Sequence, residues 1–323
     1  MQFARRDALA IGAAAMLPMA GLAQPARWPS RPIRFISPFA AGGPQEVPGR
    51  IIAEHLTQRL GQPVVIEPRP GAASALGSQL VARETDGHTF LFTTTSLATL
   101  PALMRDPGFD ALADLVPVTL VSESSLLLAA RAEAPYADLP GLIRAARESP
   151  GRISYGSSGV GSSSHLSVAL LCSRAGIEML HVPYRGAQLS LTAVLSGEVA
   201  MNIGDASIPL QHIREGRMKG ICVTTRERSP ILPEVGAAAE VLPGYSVPFW
   251  FAILAPRATP PEVAQALMRE MAPLAAPDSA LSRRMAQAGA KVLLDGPEAL
   301  TARLRQEIPQ WRQVAAAAGI TPE

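Results

Sequence analysis

One unit recurs along this chain from residue 33 onward: a short apolar run, a loop of Gly, Ser and Thr, then an amphipathic segment of helical period. Strands that alternate with helices are joined by crossovers, so the pattern predicts an α/β fold with largely parallel sheet. The first unit is IRFISPF, then AAGGPQE, then a segment in which Ile51, Ile52, His55, Leu56, Arg59 and Leu60 recur at helical spacing until Gly61 stops it. PVVIEPRPG and GHTFLFTTTS are further strands, the latter opening onto hydroxyls before LATLPALM. The unit returns as RISYGSSGVGSSS before HLSVALLCSRAG, as MLHVPYRGA before QLSLTAVLSGE and as VAMNIGDA before SIPLQHIREG, and GRMKGICVTT is one more strand.

Two stretches break the rhythm. LVPVTLVSESSLLLAA is a long extended run interrupted by the polar residues Ser122 to Ser125, and PGYSVPFWFAILAPRATPP is rich in Pro and aromatics. If each carries the chain across a cleft, lobe one comprises residues 24–122 and 248–323, and lobe two comprises residues 123–247. The C-terminal part adds helices to lobe one. Val263, Leu267, Met271 and Leu274 follow Pro260 and Pro261 at helical spacing, and a last helix carries Leu300, Leu304, Trp311 and Val314. Pro309 is expected to break or kink that last helix.

The chain starts with an address. Arg5 and Arg6 precede an apolar stretch from Ala8 to Ala20 and a small-residue exit at Gly21-Leu22-Ala23, the order of a secretory signal. Residues 1–23 are expected to be a signal peptide. The Arg5-Arg6 pair suits either a twin-arginine signal or the ordinary basic start of a Sec signal. Residues 24–323 hold 27 Lys and Arg against 26 Asp and Glu, which leaves no basic surplus for a phosphate backbone, so nucleic acid is not an expected partner. Cys172 and Cys222 sit in apolar runs and read as buried free thiols, with a single bridge as the alternative.

A search for reaction chemistry is mostly negative. His55, His88, His165, His181 and His212 are dispersed without metal-ligand spacing, so no metal is expected. GSSGVGSSSH does not satisfy G-x-S-x-G, and Gly159-Val160-Gly161 lacks the third glycine of a dinucleotide turn, so no cofactor is expected either. The loops share a different capability. AAGG at 40–43, TTTS at 93–96, GSSGVGSSS at 156–164 and YRGA at 184–187 each put backbone N–H groups and small hydroxyls where a helix begins, beyond the carboxyl end of a strand. Helix starts favour anions, and open α/β sheets bind ligands at that edge. A cleft lined by such loops suits a small carboxylate.

Taken in order, WPSRPIRFISPFAAGG, LGQPVVIEPRPGA, GSSGVGSSSHLSVALL, HVPYRGA, the LPE and LPGY pair and WFAILAPRATPP make the chain resemble the Bug-type substrate-binding proteins of the tripartite tricarboxylate transporter family, from about Trp28 to Ile320. The resemblance implies a two-lobed periplasmic binding fold of type II-like α/β architecture. That fold has two mixed, mostly parallel sheets with helices on both faces and a hinge of two crossing strands. It further implies a monomeric, non-catalytic receptor that captures a small carboxylate and passes it to membrane transporter subunits. A sensing role beside a signalling protein, or an exported serine hydrolase, are the alternatives.

Carried over by motif, the ligand-contacting residues implied in lobe one are Phe39, Ala40, Gly42, Gly43 and Ser96. In lobe two they are Ser157, Ser162, Ser163, His165, Arg185, Gly186 and Ala187, together with Asp205 of the Gly204-Asp205 pair. For His165 a packed structural role is the alternative to ligand contact, and for Arg185 a solvated one. The chain departs from the family's usual residues at Ala41, Glu46, Thr94, Val160 and Gly204. The lower polarity at Val160 and Gly204 points toward a partly apolar or aromatic carboxylate.

Overall fold

A computed structural model describes residues 28–41 and 43–322. The expected signal peptide and Gly42 lie outside the described residues. The chain alternates as the sequence pattern requires. In order it runs β1 (Ile33–Ser37), α1 (Glu46–Leu60), β2 (Val64–Pro68), α2 (Ala75–Ala82), β3 (Thr89–Thr94), α3 (Ser96–Thr99) and β4 (Leu115–Arg131). It continues through α4 (Leu139–Glu148), β5 (Ser154–Ser157), α5 (Ser163–Ala175), β6 (Leu180–Pro183), α6 (Ala187–Ser196), β7 (Met201–Asp205), α7 (Leu210–Arg214) and β8 (Met218–Val223). It closes with β9 (Pro248–Pro256), α8 (Pro261–Met271), α9 (Ala280–Gln287), β10 (Lys291–Asp295) and α10 (Pro297–Ala317).

Local chemistry fixes the element ends that matter for the site. Gly61 ends α1 in a left-handed conformation (φ 68°), and its N–H donates to Thr57 O. Ser162 caps α5, accepting from His165 N at 3.2 Å, and Asp138 caps α4, accepting from Gly141 N at 2.8 Å. α10 does not break at Pro309: it runs 21 residues without interruption. A proline inside a helix costs one hydrogen bond and a clash with the preceding turn. The flanking Ile308, Trp311, Val314 and Ala315 are all buried, and their packing holds the helix together across that defect.

Strands order as β2-β1-β3-β9-β4-β7-β5-β6, with β8 and β10 also paired to β4. β1 is parallel to β2 and β3, and β5 is parallel to β6 and β7, as helical crossovers demand. The ladders made by β4 and β9 are antiparallel. β4 is the shared member. Its residues Leu115–Ser125 pair with β9, and Leu126–Ala130 pair with β7. It spans 17 residues, roughly 55 Å of extended chain. It therefore belongs to two sheets, and β9 runs beside its first half.

Apolar packing fixes these positions from both faces. Ile33, Phe35, Phe90, Phe92, Leu97, Trp250, Leu304 and Trp311 are buried in one continuous cluster with Leu166, Met201 and Ile203. A separate cluster joins Leu127 and Ala129 of β4 to Leu191 and Val194 of α6. Each fully buried large side chain contributes on the order of 2 kcal/mol, so the strand ends are held by many independent contacts. No described helix is long and apolar enough to cross a membrane. Cys222 is buried and Cys172 half-buried, and neither is bridged.

Candidate functional site

Register alone brings the loops together. Thr94 at the end of β3 pairs with Phe251, Phe251 pairs with Ser122 of β4, and Asp205 at the end of β7 pairs with Leu126 of the same strand. Ser122 and Leu126 are four residues apart, about 13 Å along an extended strand. The carboxyl ends of both parallel strand sets therefore point at the same short segment of β4. It is the segment whose serines interrupt the apolar run.

On the first side, Ser37 ends β1 and the chain turns through Phe39, Ala40 and Gly43 into α1. Phe39 is half-buried and Ala40 exposed. Buried Gln45 braces this loop by donating from Nε2 to Ala40 O at 3.3 Å, and Glu46 N donates to Gly43 O at 3.1 Å. β3 is parallel to β1, so Thr94 to Ser96 emerge beside this turn. Ser96 is half-buried, and its Oγ and N both contact Thr94 Oγ1 at 3.3 Å. Thr95 is buried behind it. Its N–H donates to Trp250 O at 3.2 Å and its Oγ1 accepts from Trp250 N at 3.0 Å.

On the second side, the Gly/Ser loop is tied to itself and to two histidines. Ser157 is fully buried, with Oγ 2.6 Å from His181 Nε2, donating to Gly159 O and accepting from Gly159 N at 3.1 Å each. Ser162 Oγ donates to Gly159 O at 2.7 Å. Gly161 N donates to His165 Nδ1 at 2.9 Å, so His165 braces the loop from behind. The His165 and His181 rings stack with centroids 3.6 Å apart and planes 6° off parallel. Burial pushes both imidazoles down to about 4, so both are neutral at pH 7. Ser163, by contrast, is half-buried and its hydroxyl bonds no described residue, as is true of Ser158, which motif matching missed.

The turn into α6 sets Arg185, exposed and without an ion pair among the described residues, next to Gly186 and Ala187. Gly186 takes φ 118° at the helix cap, a conformation that side chains rarely adopt. Asp205 is buried at the joint itself. It accepts from Ser124 Oγ at 2.9 Å, and from Ser207 N and Oγ at 3.0 and 2.6 Å. Burial raises its carboxyl above the ordinary range, and the three hydrogen bonds oppose that rise. Gly204 beside it packs closely on α6. A methyl built there would lie 3.2 Å from Ala187 Cβ, a tight approach to the start of α6, and Val160 is well exposed.

One contact between the two sides is at Gly161. Gly161 has φ 69°, and a methyl on it would collide with the Leu103 side chain, which follows α3 in the first sheet's half of the chain. Sequence reasoning missed Leu103, His181, Thr95 and Ser124. For Ser124 the signal was present, since four polar residues inside an apolar strand demand partners. A serine-hydrolase reading finds a Ser–His contact at Ser157, but that hydroxyl is sealed from solvent and no carboxylate contacts His181 among the described residues.

Two sheets sharing one long strand, with the loops that follow their parallel strands directed at the shared strand, have the architecture of a periplasmic binding protein fold. The chain belongs to the tripartite tricarboxylate transporter family receptors, which it matches over residues 49–316. It is 36% identical over 291 residues to the UPF0065 protein in the tcbD-tcbE intergenic region of Pseudomonas sp. strain P51, covering 89% of this chain and 86% of that protein. Among solved structures it superposes on R. palustris Rpa4515 with adipate (TM-score 0.83, 31% identity, 92% of this chain and 100% of that one). It superposes equally well on the periplasmic binding protein BugD (TM-score 0.81, 31% identity, 92% and 100%). Homologues of this chain are thus solute-binding receptors.

Proposed function

We propose that this receptor captures a small carboxylate between two lobes, residues 24–122 with 248–323 and residues 123–247, and delivers it to the membrane subunits of a tripartite transporter without chemical change. The observation that carries the reading is the convergence of two sets of neutral donors on Ser122–Leu126. Free helix-start N–H groups and the hydroxyls of Ser96, Ser158 and Ser163 offer hydrogen bonds to an anion, and Arg185 supplies an exposed cation at the rim. Phe39 and Val160 add apolar surface, which suits a diacid with a hydrocarbon middle, and the adipate bound by Rpa4515 is of that kind. Ser157, His165 and Asp205 act behind this surface by holding its shape. Export to the periplasm by the Sec or twin-arginine route fits the N-terminal sequence and the periplasmic relatives.

The test is thermal denaturation of the chain from Gln24 with adipate, malate, longer diacids, tricarboxylates and aromatic acids, each against its neutral amide. A diacid at a hundred times its Kd is expected to stabilise by about 2.7 kcal/mol, with the amide silent and the acid recovered unchanged. Arg185→Gln and Ser163→Ala are expected to weaken that response. Stabilisation by the amides, or turnover of any acid, would overturn the reading.

A further inference from the structure

The C-terminal helix lies against the strand joint, and one of its side chains reaches toward both sides of the site. Glu307, buried on α10, accepts the indole N–H of Trp250, whose Nε1 lies 3.0 and 3.2 Å from its two oxygens. Trp250 is the β9 residue whose main chain exchanges two hydrogen bonds with Thr95, and Thr95 precedes Ser96. Arg303, one turn before Glu307, pairs with Glu123 at 2.6 Å and approaches Glu307 at 3.8 Å. Glu123 faces Trp250 across the β4–β9 ladder and precedes Ser124, the donor to Asp205.

We propose that Glu307 is a positioning residue for both sides of the binding site, setting Ser96 through Trp250 and Thr95, and setting Ser124 and Asp205 through Arg303 and Glu123. The proposal rests on the reading that these loops hold ligand, and it adds a control point outside them. A carboxylate at 307 draws both the indole N–H and the Arg303 cation toward itself. A neutral carboxyl keeps a weaker bond to the indole and releases Arg303 to Glu123 alone. Burial raises the Glu307 carboxyl to about 7, so both forms exist near neutral pH.

The charged groups that act on it are Arg303, which favours the anion, and Glu123, which opposes it; the Trp250 indole, bonded to both oxygens, also favours the anion. α3 carries no ionisable side chain. On α5, His165 is stacked on His181 and Arg174 reaches Pro243 O, while half-buried Cys172 is a neutral thiol. Lys291 of β10 faces Glu123 in the ladder and is itself exposed.

The test needs no ligand, so a negative carboxylate screen and a negative result here remain separate outcomes. Amide and indole N–H signals of the ligand-free protein are followed by NMR from about pH 5.5 to 8.5, with the three indoles assigned by single Trp→Phe variants. The Trp250 indole and the amides of Ser96, Ser124 and Asp205 are expected to shift with one shared midpoint near 7, and Glu307→Gln is expected to abolish that shared step. Should that variant fail to fold, Arg303→Gln takes its place: removal of the cation is expected to raise the midpoint of every reporter together by about one pH unit. An indole that titrates while Ser96, Ser124 and Asp205 stay still, or reporters that keep their wild-type midpoint in Arg303→Gln, would overturn the proposal.

Discussion

The hydroxyl of Ser124, on the strand common to both sheets, donates to the carboxyl of Asp205, at the end of the neighbouring strand, across 2.9 Å of buried space. That contact sits where the two loop sets converge, and its energetics have a sign. Burial lifts the Asp205 carboxyl above its ordinary range. The stability this group contributes is therefore complete below the ordinary carboxylate range and is lost as pH rises through the raised value. Asp205→Asn removes the buried charge while its carbonyl oxygen can still accept from Ser207. The variant is expected to match or exceed the wild type in urea midpoint at pH 7, with its relative advantage shrinking toward about pH 4. A variant weakened more at pH 7 than near pH 4 would show that the anion itself is required for folding.

The stacked imidazoles predict the opposite slope. His165 and His181 are both pushed from 6.5 down to about 4 by burial, His165 also by its neighbour's charge. A depressed histidine stabilises fully above the ordinary 6.5 and loses that contribution as pH falls through about 4. Wild-type urea midpoints are expected to drop between pH 7 and 5. His181→Phe keeps a flat ring on the stack but forfeits the Ser157 bond. It is expected to be less stable at pH 7 by about 1 kcal/mol and to lose less on acidification. Parallel pH profiles for the two proteins would remove the histidine pair from the account.

The alternation of strand, loop and helix was legible because each segment obeys its own periodicity, and so was the long extended stretch that becomes β4, whose composition departs from the repeat. Pro309 does not break α10, because the burial of Trp311 and Ile308, which local propensity cannot report, holds the helix through the missing bond. The site divides in the same way. Loops such as 93–96 and 156–164 announce donors through Gly, Ser and Thr, but which hydroxyl is spent internally is a tertiary matter. Ser157 and Ser163 look alike in sequence, yet one is sealed against His181 and the other is open. Glu307 was invisible as more than a helical charge, since its importance arises from Trp250, 57 residues away.

A buried amide offers a test of packing in the second sheet. Asn202 on β7 is fully buried and neither atom of its side-chain amide bonds any described residue, as is also true of the Ser190 hydroxyl on α6. Asn202 lies in register with Gly156, and a methyl on Gly156 would come 2.5 Å from Ser190 Oγ, so the two polar groups share one small region. An unsatisfied buried polar group costs about 1–3 kcal/mol. Asn202→Leu, which keeps the branched four-atom outline of the side chain without its polar atoms, is expected to raise stability by about 1 kcal/mol in urea titration at unchanged m-value. A loss of more than about 2 kcal/mol would indicate a bound water that satisfies the amide in solution.

Leu103 and Gly161 supply a direct measure of how closely the two sides approach. Gly161 holds φ 69°, so Gly161→Ala carries about 1 kcal/mol of backbone strain wherever Leu103 lies. With Leu103 packed on the α-carbon, the new methyl adds an overpacking cost of about 1–3 kcal/mol. Leu103→Ala, which shortens the opposing side chain, should erase the second cost and leave the first. The double variant is therefore expected to lose less stability than the sum of the singles, by about 1 kcal/mol or more in a double-mutant cycle read from urea midpoints. Strict additivity would mean that the contact is absent in the ligand-free protein in solution. Repeating the cycle with a stabilising diacid would then separate the cases, because a ligand that draws the lobes together must restore the coupling in proportion to its preference for the closed form.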